Sequence, residues 1–419
     1  MTSRPRGPAP VVPLGAADLR RVVTVLCVTE ILSWGVLFYA FTVLAAAIGD
    51  REGWPLTHVV AAFTAAQVVA AGCGLWVGRH LDRHGPRLVM TGGSVIAVVS
   101  VALVALAPSL PVFAAAWVLA GVAMSATLYA PAFATLNHWA GAQRVRALTT
   151  VTLVAGLAST VFAPLTALLL AHGTWRSTYL VLALPLAVTI PLHWFGLAPR
   201  WTTRDVAAAE TGGDQVDLEP RDEPGPLEFW LLAAAFTLGG FCIYAVVVTT
   251  VPLLTEGGLS VSQAAIALGV GGAGQVAGRL VYGPVVVRLP VRPRTIAVLA
   301  AGGLTTLALA ASAGSLLVAC LGSFAAGSAR GIFTLVQATA VADRWGTHAV
   351  GARTAVLSGG VMAASAFAPW LGTLLARLVG GFDAAFVVLA ACSAVAAALV
   401  RATPAGVRRP ETAEPQRTR

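Results

Sequence analysis

Long apolar segments separated by short polar turns fill most of the chain, from one end to the other. Twelve segments are each long enough to span the ~30 Å hydrocarbon core of a bilayer as a helix. The first six are predicted at 22–48, 56–81, 88–107, 112–136, 148–171 and 178–196. The second six are predicted at 229–254, 262–287, 295–313, 316–342, 354–378 and 385–401. The pattern therefore predicts an all-α membrane protein with twelve transmembrane helices.

The composition agrees with a chain whose solvent is lipid. Charged residues make up 11% and apolar residues 57% of the sequence, and the mean hydropathy is +0.81. So few charges cannot cover the surface of a soluble protein of 419 residues. All 27 basic residues are Arg, and most lie at predicted helix ends. The net charge of +9 therefore does not indicate nucleic-acid binding, and we expect no nucleic-acid partner.

The distribution of Arg among the turns predicts the orientation of the chain. Two Arg lie deep inside predicted spans, and only Arg51, Arg176 and Arg377 lie in turns or at span ends opposite the termini. All the others lie on the side that carries both termini. Loops rich in Arg stay in the cytoplasm, so both termini are predicted to be cytoplasmic. We expect a multi-pass protein of the cytoplasmic (inner) membrane of a bacterium.

One acidic, apolar-poor stretch with Gly and Pro interrupts the series of spans, and it predicts a linker between two halves. The predicted organisation is a cytoplasmic N-terminal segment at 1–21, a six-helix bundle at 22–196, a cytoplasmic linker at 197–227, a second six-helix bundle at 228–402 and a cytoplasmic tail at 403–419.

The two halves repeat each other at one offset of 205 residues. Gly35 and Tyr39 in the first span recur as Gly240 and Tyr244 in the seventh. Two further matches at this offset are Gly78, Arg83 and Arg87 with Gly283, Arg288 and Arg292, and Phe162-Ala163-Pro164 with Phe367-Ala368-Pro369. A shared offset in corresponding spans predicts two pseudo-symmetric six-helix bundles.

The turn between spans two and three reads GRHLDRHGPR and contains the pattern Gly78-x-x-x-Asp82-Arg83-x-Gly85-x-Arg87. This pattern resembles the loop signature of the major facilitator superfamily of transporters. The resemblance implies two parallel six-helix halves around a site at the middle of the membrane. It also implies a gating role for Gly78, Asp82, Arg83, Gly85 and Arg87, with Asp82 at the cytoplasmic seam between the halves. In the second copy Val287 stands at the position of Asp82, so any gating ion pair rests mainly on the first copy.

Three ionisable side chains lie deep in the predicted spans: Glu30, Arg279 and Arg330. At 1.5 Å per residue, Glu30 and Arg279 lie about 13–14 Å from the cytoplasmic boundary, and Arg330 lies about 21 Å from it. An unpaired charge at this depth normally faces a cavity or another charge, so these three side chains can converge on one cavity. Two Arg and one Glu leave that cavity positive, which favours an anion, and the planar Arg fork suits a carboxylate. Two alternatives stay open, a packing ion pair for Glu30 and snorkelling of Arg279 to the cytoplasmic face.

Two motifs resemble particular branches of the superfamily. Gly278-Arg279-x-x-x-Gly283 is similar to a signature of the monocarboxylate-porter and oxalate/formate-exchanger branches, and Glu30-x-x-x-Trp34-Gly35 is similar to the start of span one in monocarboxylate porters. The resemblance implies that Arg279 binds a substrate carboxylate. Gln275 occupies the position of those porters' acid, so proton coupling would move to Glu30. The candidate substrate-binding residues are Arg279, Arg330, Trp34, Tyr39, Tyr244 and Gln275.

We therefore expect a monomeric, proton-coupled symporter of a small organic anion such as a monocarboxylate, with no cofactor and no metal. A proton-driven drug or metabolite antiporter is the main alternative, although Ala163 stands in span five where such antiporters carry Gly. A membrane-embedded enzyme and a transporter-like sensor are less favoured. Histidine pairs would indicate an enzyme, and His193, the histidine nearest a span interior, is expected at the interface.

Overall fold

The computed structural model describes residues 14–199, 201, 226–282, 289–312, 314–345 and 350–403. The second copy of the loop signature, with Gly283, Val287 and Arg288, lies outside the described residues. Most of the N-terminal segment, the linker and the tail also lie outside them, so the domain boundaries stay predictions.

Twelve spans cross the described part of the chain, as the hydropathy pattern predicts, and no strand occurs in it. In chain order the helices are α1 (Ala16–Trp34), α2 (Ala40–Glu52), α3 (Leu56–His84), α4 (Pro86–Leu106), α5 (Leu110–Thr127), α6 (Tyr129–Trp139), α7 (Arg144–Ala155), α8 (Ala158–Ala171), α9 (Trp175–Ala187), α10 (Thr189–Gly196), α11 (Pro226–Glu256), α12 (Val261–Tyr282), α13 (Val291–Ala310), α14 (Leu316–Thr339), α15 (Ala342–Trp345), α16 (Val350–Val379) and α17 (Phe382–Arg401). Spans one, four, five and six are each built from two of these helices.

Proline explains two of these interruptions. The proline ring clashes with the carbonyl group of the residue four positions earlier, so a helix tends to break there. In span four Pro131 lies four residues after Thr127, the last residue of α5, and Leu128 is extended with φ −92° and ψ −166°. In span six Pro191 lies four residues after Ala187, where α9 ends.

Span one is interrupted differently, by a π-helical turn over Gly35–Tyr39 that joins α1 to α2. Gly35 lies directly against the ring of Phe162, where a Cβ atom would overlap the ring. Such π-turns insert one residue into a helix and occur often at functional sites. The turn follows Glu30 and Trp34 within the same span.

The cores show how the halves are joined. One large cluster, on the side away from the termini, combines residues of the first half such as Phe63 and Trp117 with Val247 and Val251 of span seven. On the side of the termini each half has its own core, one around Leu136 in the first half and the other around Leu232, Phe236 and Phe333 in the second half. Among the described residues, the halves therefore share a hydrophobic core only away from the termini.

Small residues bring span eight very close to spans five and ten. Thr160 of span five donates a hydrogen bond to the carbonyl of Gly269 at 2.8 Å. Ser328 of span ten donates to the carbonyl of Gly274 at 3.1 Å. Hydroxyl and glycine contacts of this kind let helix backbones approach closely within a bilayer. The packing fixes the positions of Arg279 on span eight and Arg330 on span ten.

Candidate functional site

Glu30 is fully buried on α1, one turn before the π-helical break. The indole N–H of Trp34 donates a hydrogen bond to its Oε2 atom at 3.1 Å. The Oε1 atom is also buried and has no hydrogen-bond partner among the described residues. The carboxyl group is therefore oriented by one neutral donor, and its second oxygen is uncommitted.

Glu30 pairs with neither intramembrane Arg. The ion pairs of the described residues are Arg21–Asp18, Arg176–Glu52 and Arg294–Asp343. The alternative that Glu30 is locked in a packing ion pair therefore does not describe this conformation.

Arg279 is partly buried and lies between the two halves. Its guanidinium group donates a hydrogen bond to the carbonyl oxygen of Thr152, in the last turn of α7. A helix C-terminus carries partial negative charge, so this is a favourable place for a cation. The guanidinium also lies against the hydroxyl of Tyr129 at the start of α6. Arg279 therefore points toward the interior of the protein rather than snorkelling.

Arg330 is 8% exposed, at the inner face of span ten. Among the described residues it makes no ion pair and no hydrogen bond, and its buried Nε atom has no partner. The guanidinium is within electrostatic range of Tyr244 and borders a small cavity of about 40 Å³ in the second half. An intramembrane Arg without a counter-charge is costly and is normally explained by a ligand or a water-filled space.

Three tyrosines connect these charged groups. Tyr129 lies within electrostatic range of Glu30, Arg279 and Tyr39. Tyr244 lies within range of Tyr39, Arg279 and Arg330. The structure thus brings residues of spans one, four, seven, eight and ten to one place near the middle of the molecule.

Tyr129 and Thr152 were not among the predicted site residues. The ring of Tyr129 packs on Trp34 at a centroid distance of 5.0 Å, although the two residues are far apart in sequence. Pro131 could have pointed to Tyr129, because a proline predicts a break in span four and Tyr129 lies beside that break. Thr152 contributes a backbone carbonyl, which no sequence pattern marks.

Gln275 lies one helical turn before Arg279 and is 7% exposed. Its Oε1 atom is buried without a hydrogen-bond partner. Its backbone lies directly against Gly331 of span ten, where a Cβ atom would overlap it. Gln275 therefore lies at the seam of spans eight and ten, with a free acceptor near the site.

Each glycine of the loop signature has its own environment. Gly85 has φ +77° and ψ +170°, a conformation that only glycine adopts readily, and a Cβ atom there would lie 2.8 Å from the Cβ of Trp201. The indole of Trp201 donates a hydrogen bond to the carbonyl of Asp82 at 2.9 Å. Gly78 has no atom within 4 Å of the Cβ it lacks, so nothing in this conformation requires glycine there.

The charged residues of the signature are not paired with one another. Asp82 and Arg83 are exposed, and the Asp82 carboxylate has no hydrogen bond or ion pair within the described parts of the chain. Arg87 lies over the ring of Trp194 of span six, 4.0 Å from its centroid. The acid at the predicted seam is therefore free in this conformation.

His193 differs from the sequence expectation. His193 lies near the end of α10, as predicted, but its side chain is fully buried between spans three and six, where its Nδ1 atom lies 2.8 Å from the hydroxyl of Ser94. The described residues contain no group of three or more possible metal ligands.

The comparisons with known proteins agree with this architecture. The family model described as Major Facilitator Superfamily matches residues 23–322. The oxalate:formate antiporter of Oxalobacter formigenes is 26% identical over 214 residues, which are 51% of this chain and 50% of that protein. The match thus spans about half the length of this curated relative.

Solved structures share the whole fold. A bacterial homologue of the human lysosomal transporter Spinster, in an inward-facing and unoccupied conformation, superposes with a TM-score of 0.67 over 92% of this chain and 97% of its own. Its inward-facing and occupied conformation gives a TM-score of 0.66 over 92% and 96%. Sequence identity is 14% in both cases, so the likeness concerns the fold alone. Because the family model matches most of the chain and the twelve spans form its two-half fold, this multi-pass membrane protein belongs to the Major Facilitator Superfamily of secondary transporters of small solutes.

Proposed function

We propose that this protein transports a small organic anion that carries a carboxylate, by proton-coupled alternating access across the cytoplasmic membrane of a bacterium. The observation that carries the proposal is Arg330, a buried intramembrane guanidinium with no ion pair or hydrogen bond in the described parts of the chain. An anionic substrate would supply the missing counter-charge. The relative's name, oxalate:formate antiporter, also refers to carboxylates.

Arg330 and Arg279 are the proposed carboxylate ligands. Each guanidinium can donate two parallel hydrogen bonds to a carboxylate, which gives both affinity and orientation. In the conformation described here Arg279 donates to the Thr152 carbonyl, so an incoming carboxylate would compete with span five for this side chain. Tyr244 lies within electrostatic range of both Arg and of Tyr39, and these two tyrosines would orient the substrate.

Glu30 is the proposed proton-coupling group. A buried carboxylate without a counter-charge is strongly disfavoured, and a bound proton removes that cost. Tyr129 lies within electrostatic range of both Glu30 and Arg279, so movement of Arg279 toward a substrate would change the electrostatic surroundings of this group and of Glu30. Through this contact, substrate binding and proton binding can influence each other.

The arrangement of the cores supports an inward-open conformation with both termini in the cytoplasm. The halves share a core only on the side away from the termini. The Spinster homologue with the same fold is described as inward-facing. The two bundles predicted at 22–196 and 228–402 would rock against each other around the central site, and we expect the monomer to be sufficient.

Uptake into proteoliposomes tests the proposal. Radiolabelled formate, acetate, lactate and oxalate would be offered with and without an imposed pH gradient, beside acetamide as a neutral isostere of acetate. We expect uptake of at least one carboxylate, stimulation by an inward proton gradient, no uptake of acetamide, and loss of uptake in Arg330→Ala. Proton-driven transport of lipophilic cations without transport of any carboxylate would instead support the drug antiporter and overturn the proposal.

A further inference from the structure

A small, partly open cavity of about 40 Å³ lies inside the second half, lined by spans seven, eight, nine and ten. Span seven lines it with Ile243, Val246, Val247 and Thr250, a spacing of i, i+3, i+4 and i+7 that forms one face of a helix. Span ten lines it with the same spacing, through Ser323, Ala326, Gly327 and Arg330. We call this space the C-half cavity.

We propose that the C-half cavity is a specificity pocket that holds the part of the substrate remote from the carboxylate, and that it admits a short uncharged tail but rejects a second carboxylate. The inference rests on the proposed function, because Arg330 provides both the carboxylate ligand and one end of this cavity.

The charge distribution of the cavity favours one negative group and no more. Arg330 is the one charged residue of its lining, and the walls are mostly aliphatic. A carboxylate placed anywhere else in the cavity would lose its hydration without gaining a cation. An apolar tail has no such cost and gains from leaving water.

The threonine hydroxyls of the lining do not offset this cost. Thr250 donates to the carbonyl of Val246 at 2.6 Å, and Thr306 donates to the carbonyl of Gly302 at 2.8 Å. Thr305 likewise donates to a carbonyl of its own helix. The hydroxyl protons are therefore already used in these hydrogen bonds. The threonines can offer a ligand methyl groups and acceptor lone pairs, and the lone pairs repel a carboxylate.

Span ten also sets the length of the pocket. Ser323 and Arg330 are seven residues apart, about 10.5 Å along the helix axis. Side chains in a helix lean toward its N-terminus, so the Arg330 guanidinium points toward Ser323 and shortens that space. Between them Ala326, Gly327 and Ala329, all of them small, line the cavity, which at about 40 Å³ leaves room for a tail of one or two carbon atoms.

Ser323 forms the far end of the pocket. Its hydroxyl is buried and has no hydrogen-bond partner among the described residues. Because this hydroxyl is neutral and can donate one hydrogen bond, it suits at most one uncharged acceptor at the end of the tail. The ligand class is therefore a short monocarboxylate, with an apolar or singly hydroxylated tail.

Binding of a matched series to the purified full-length protein tests the inference. Titration calorimetry would compare formate, acetate, propionate, butyrate and hexanoate with malonate, which equals propionate in chain length but carries a second carboxylate. We expect affinity to rise about fourfold for each added methylene that is buried, then to fall once the pocket is full. Propionate should bind at least tenfold more tightly than malonate. Equal binding of propionate and malonate would overturn the inference.

Two neighbouring alanines provide a matched pair of variants. Ala326 lines the cavity, whereas Ala325 is not part of its lining. Ala326→Leu should weaken propionate binding at least tenfold and change formate binding less than twofold, because formate has no tail. Ala325→Leu should leave both unchanged. If Ala326→Leu does not fold, Val247→Ala provides the opposite test, since a larger pocket should move the optimum chain length upward by about one carbon.

The outcomes separate this inference from the proposed function. If no carboxylate binds the wild-type protein, the specificity pocket and the proposed function are both wrong. If carboxylates bind in an Arg330-dependent manner but neither Ala326→Leu nor Val247→Ala alters the chain-length preference, the tail lies elsewhere. In that case the specificity pocket is wrong and the anion transporter stands.

Discussion

The indole N–H of Trp34 donates a hydrogen bond to Oε2 of Glu30 at 3.1 Å, across one turn of α1. The same indole packs on Tyr129 of span four at 5.0 Å between ring centroids. Trp34 therefore links the orientation of the Glu30 carboxyl group to the position of span four. A shift of span four against span one would change the surroundings of Glu30.

We predict that Glu30→Gln abolishes accumulation driven by a pH gradient and preserves exchange of substrate across the membrane. The amide has the shape of the carboxyl group and can still accept the Trp34 hydrogen bond, but it cannot carry a proton at neutral pH. Proteoliposomes loaded with unlabelled substrate measure exchange, and empty ones with an imposed gradient measure accumulation.

Glu52→Gln is the control for this prediction. Glu52 lies at the far end of span one, where it pairs with Arg176 and accepts from Trp175 at 3.0 Å. The Glu52→Gln variant should retain substrate accumulation driven by the pH gradient, measured per folded molecule. Undiminished accumulation in Glu30→Gln would remove Glu30 from the coupling mechanism.

We predict that Arg330→Lys and Arg279→Lys each raise the apparent KM for the carboxylate about tenfold. An ammonium keeps the charge but loses the planar fork that binds two carboxylate oxygens at once. Initial uptake rates over a range of substrate concentrations measure the effect. Arg377→Lys, at an exposed position at the end of span eleven, should not change the KM. Wild-type affinity in both intramembrane Lys variants would show that neither guanidinium binds substrate.

We predict that Gly85→Ala destabilises the protein by about 1–3 kcal/mol, because φ +77° and ψ +170° disfavour any side chain and the new Cβ would meet Trp201. Gly92→Ala is the matched control in α4, where nothing lies within 4 Å of the added atom. Alanine in a helix is favoured over glycine by up to about 1 kcal/mol, so this variant should be neutral or stabilised. Thermal unfolding in detergent measures both, and equal melting temperatures would contradict the role given to Gly85.

The twelve spans were predictable because a hydropathy signal extends over whole segments and tolerates errors of several residues at each end. Glu30, Arg279 and Arg330 stood out for a related reason: charged side chains are rare at such depths, so each one demands an explanation. Their depths along three separate helices already predicted that they could meet.

The contacts within the site depend on tertiary packing, and most of them could not be predicted from the sequence. The donor to Glu30 lies only four residues away, and this spacing places Trp34 on the same helix face, so the pair was within reach of sequence reasoning. The partner of Arg279 is a backbone carbonyl on another span, which leaves no trace in the sequence. The π-helical turn at Gly35–Tyr39 depends on the close approach of Phe162, and no local pattern records that contact.

The last prediction concerns Asp82, whose carboxylate is exposed and without a partner in this conformation. The halves have separate cores on the side where Asp82 lies, so an interaction across that seam can form only after the halves close there. A carboxylate at a partly buried seam contributes about 1–3 kcal/mol through charge-assisted hydrogen bonds and helix N-termini. An interaction made in one state alone shifts a two-state equilibrium by its full energy, here about 5- to 150-fold. Asp82→Asn should therefore enrich the conformation described here and slow turnover, while substrate affinity in that conformation stays the same.

Spin labels at Arg20 and Val356, in a variant without the native cysteines, measure the distance between the halves by pulsed electron resonance. Asp50→Asn, an exposed acid at the opposite end of the molecule, should leave the distances unchanged. If Asp82→Asn also leaves them unchanged, Asp82 does no more than form the turn that Trp201 holds through its carbonyl.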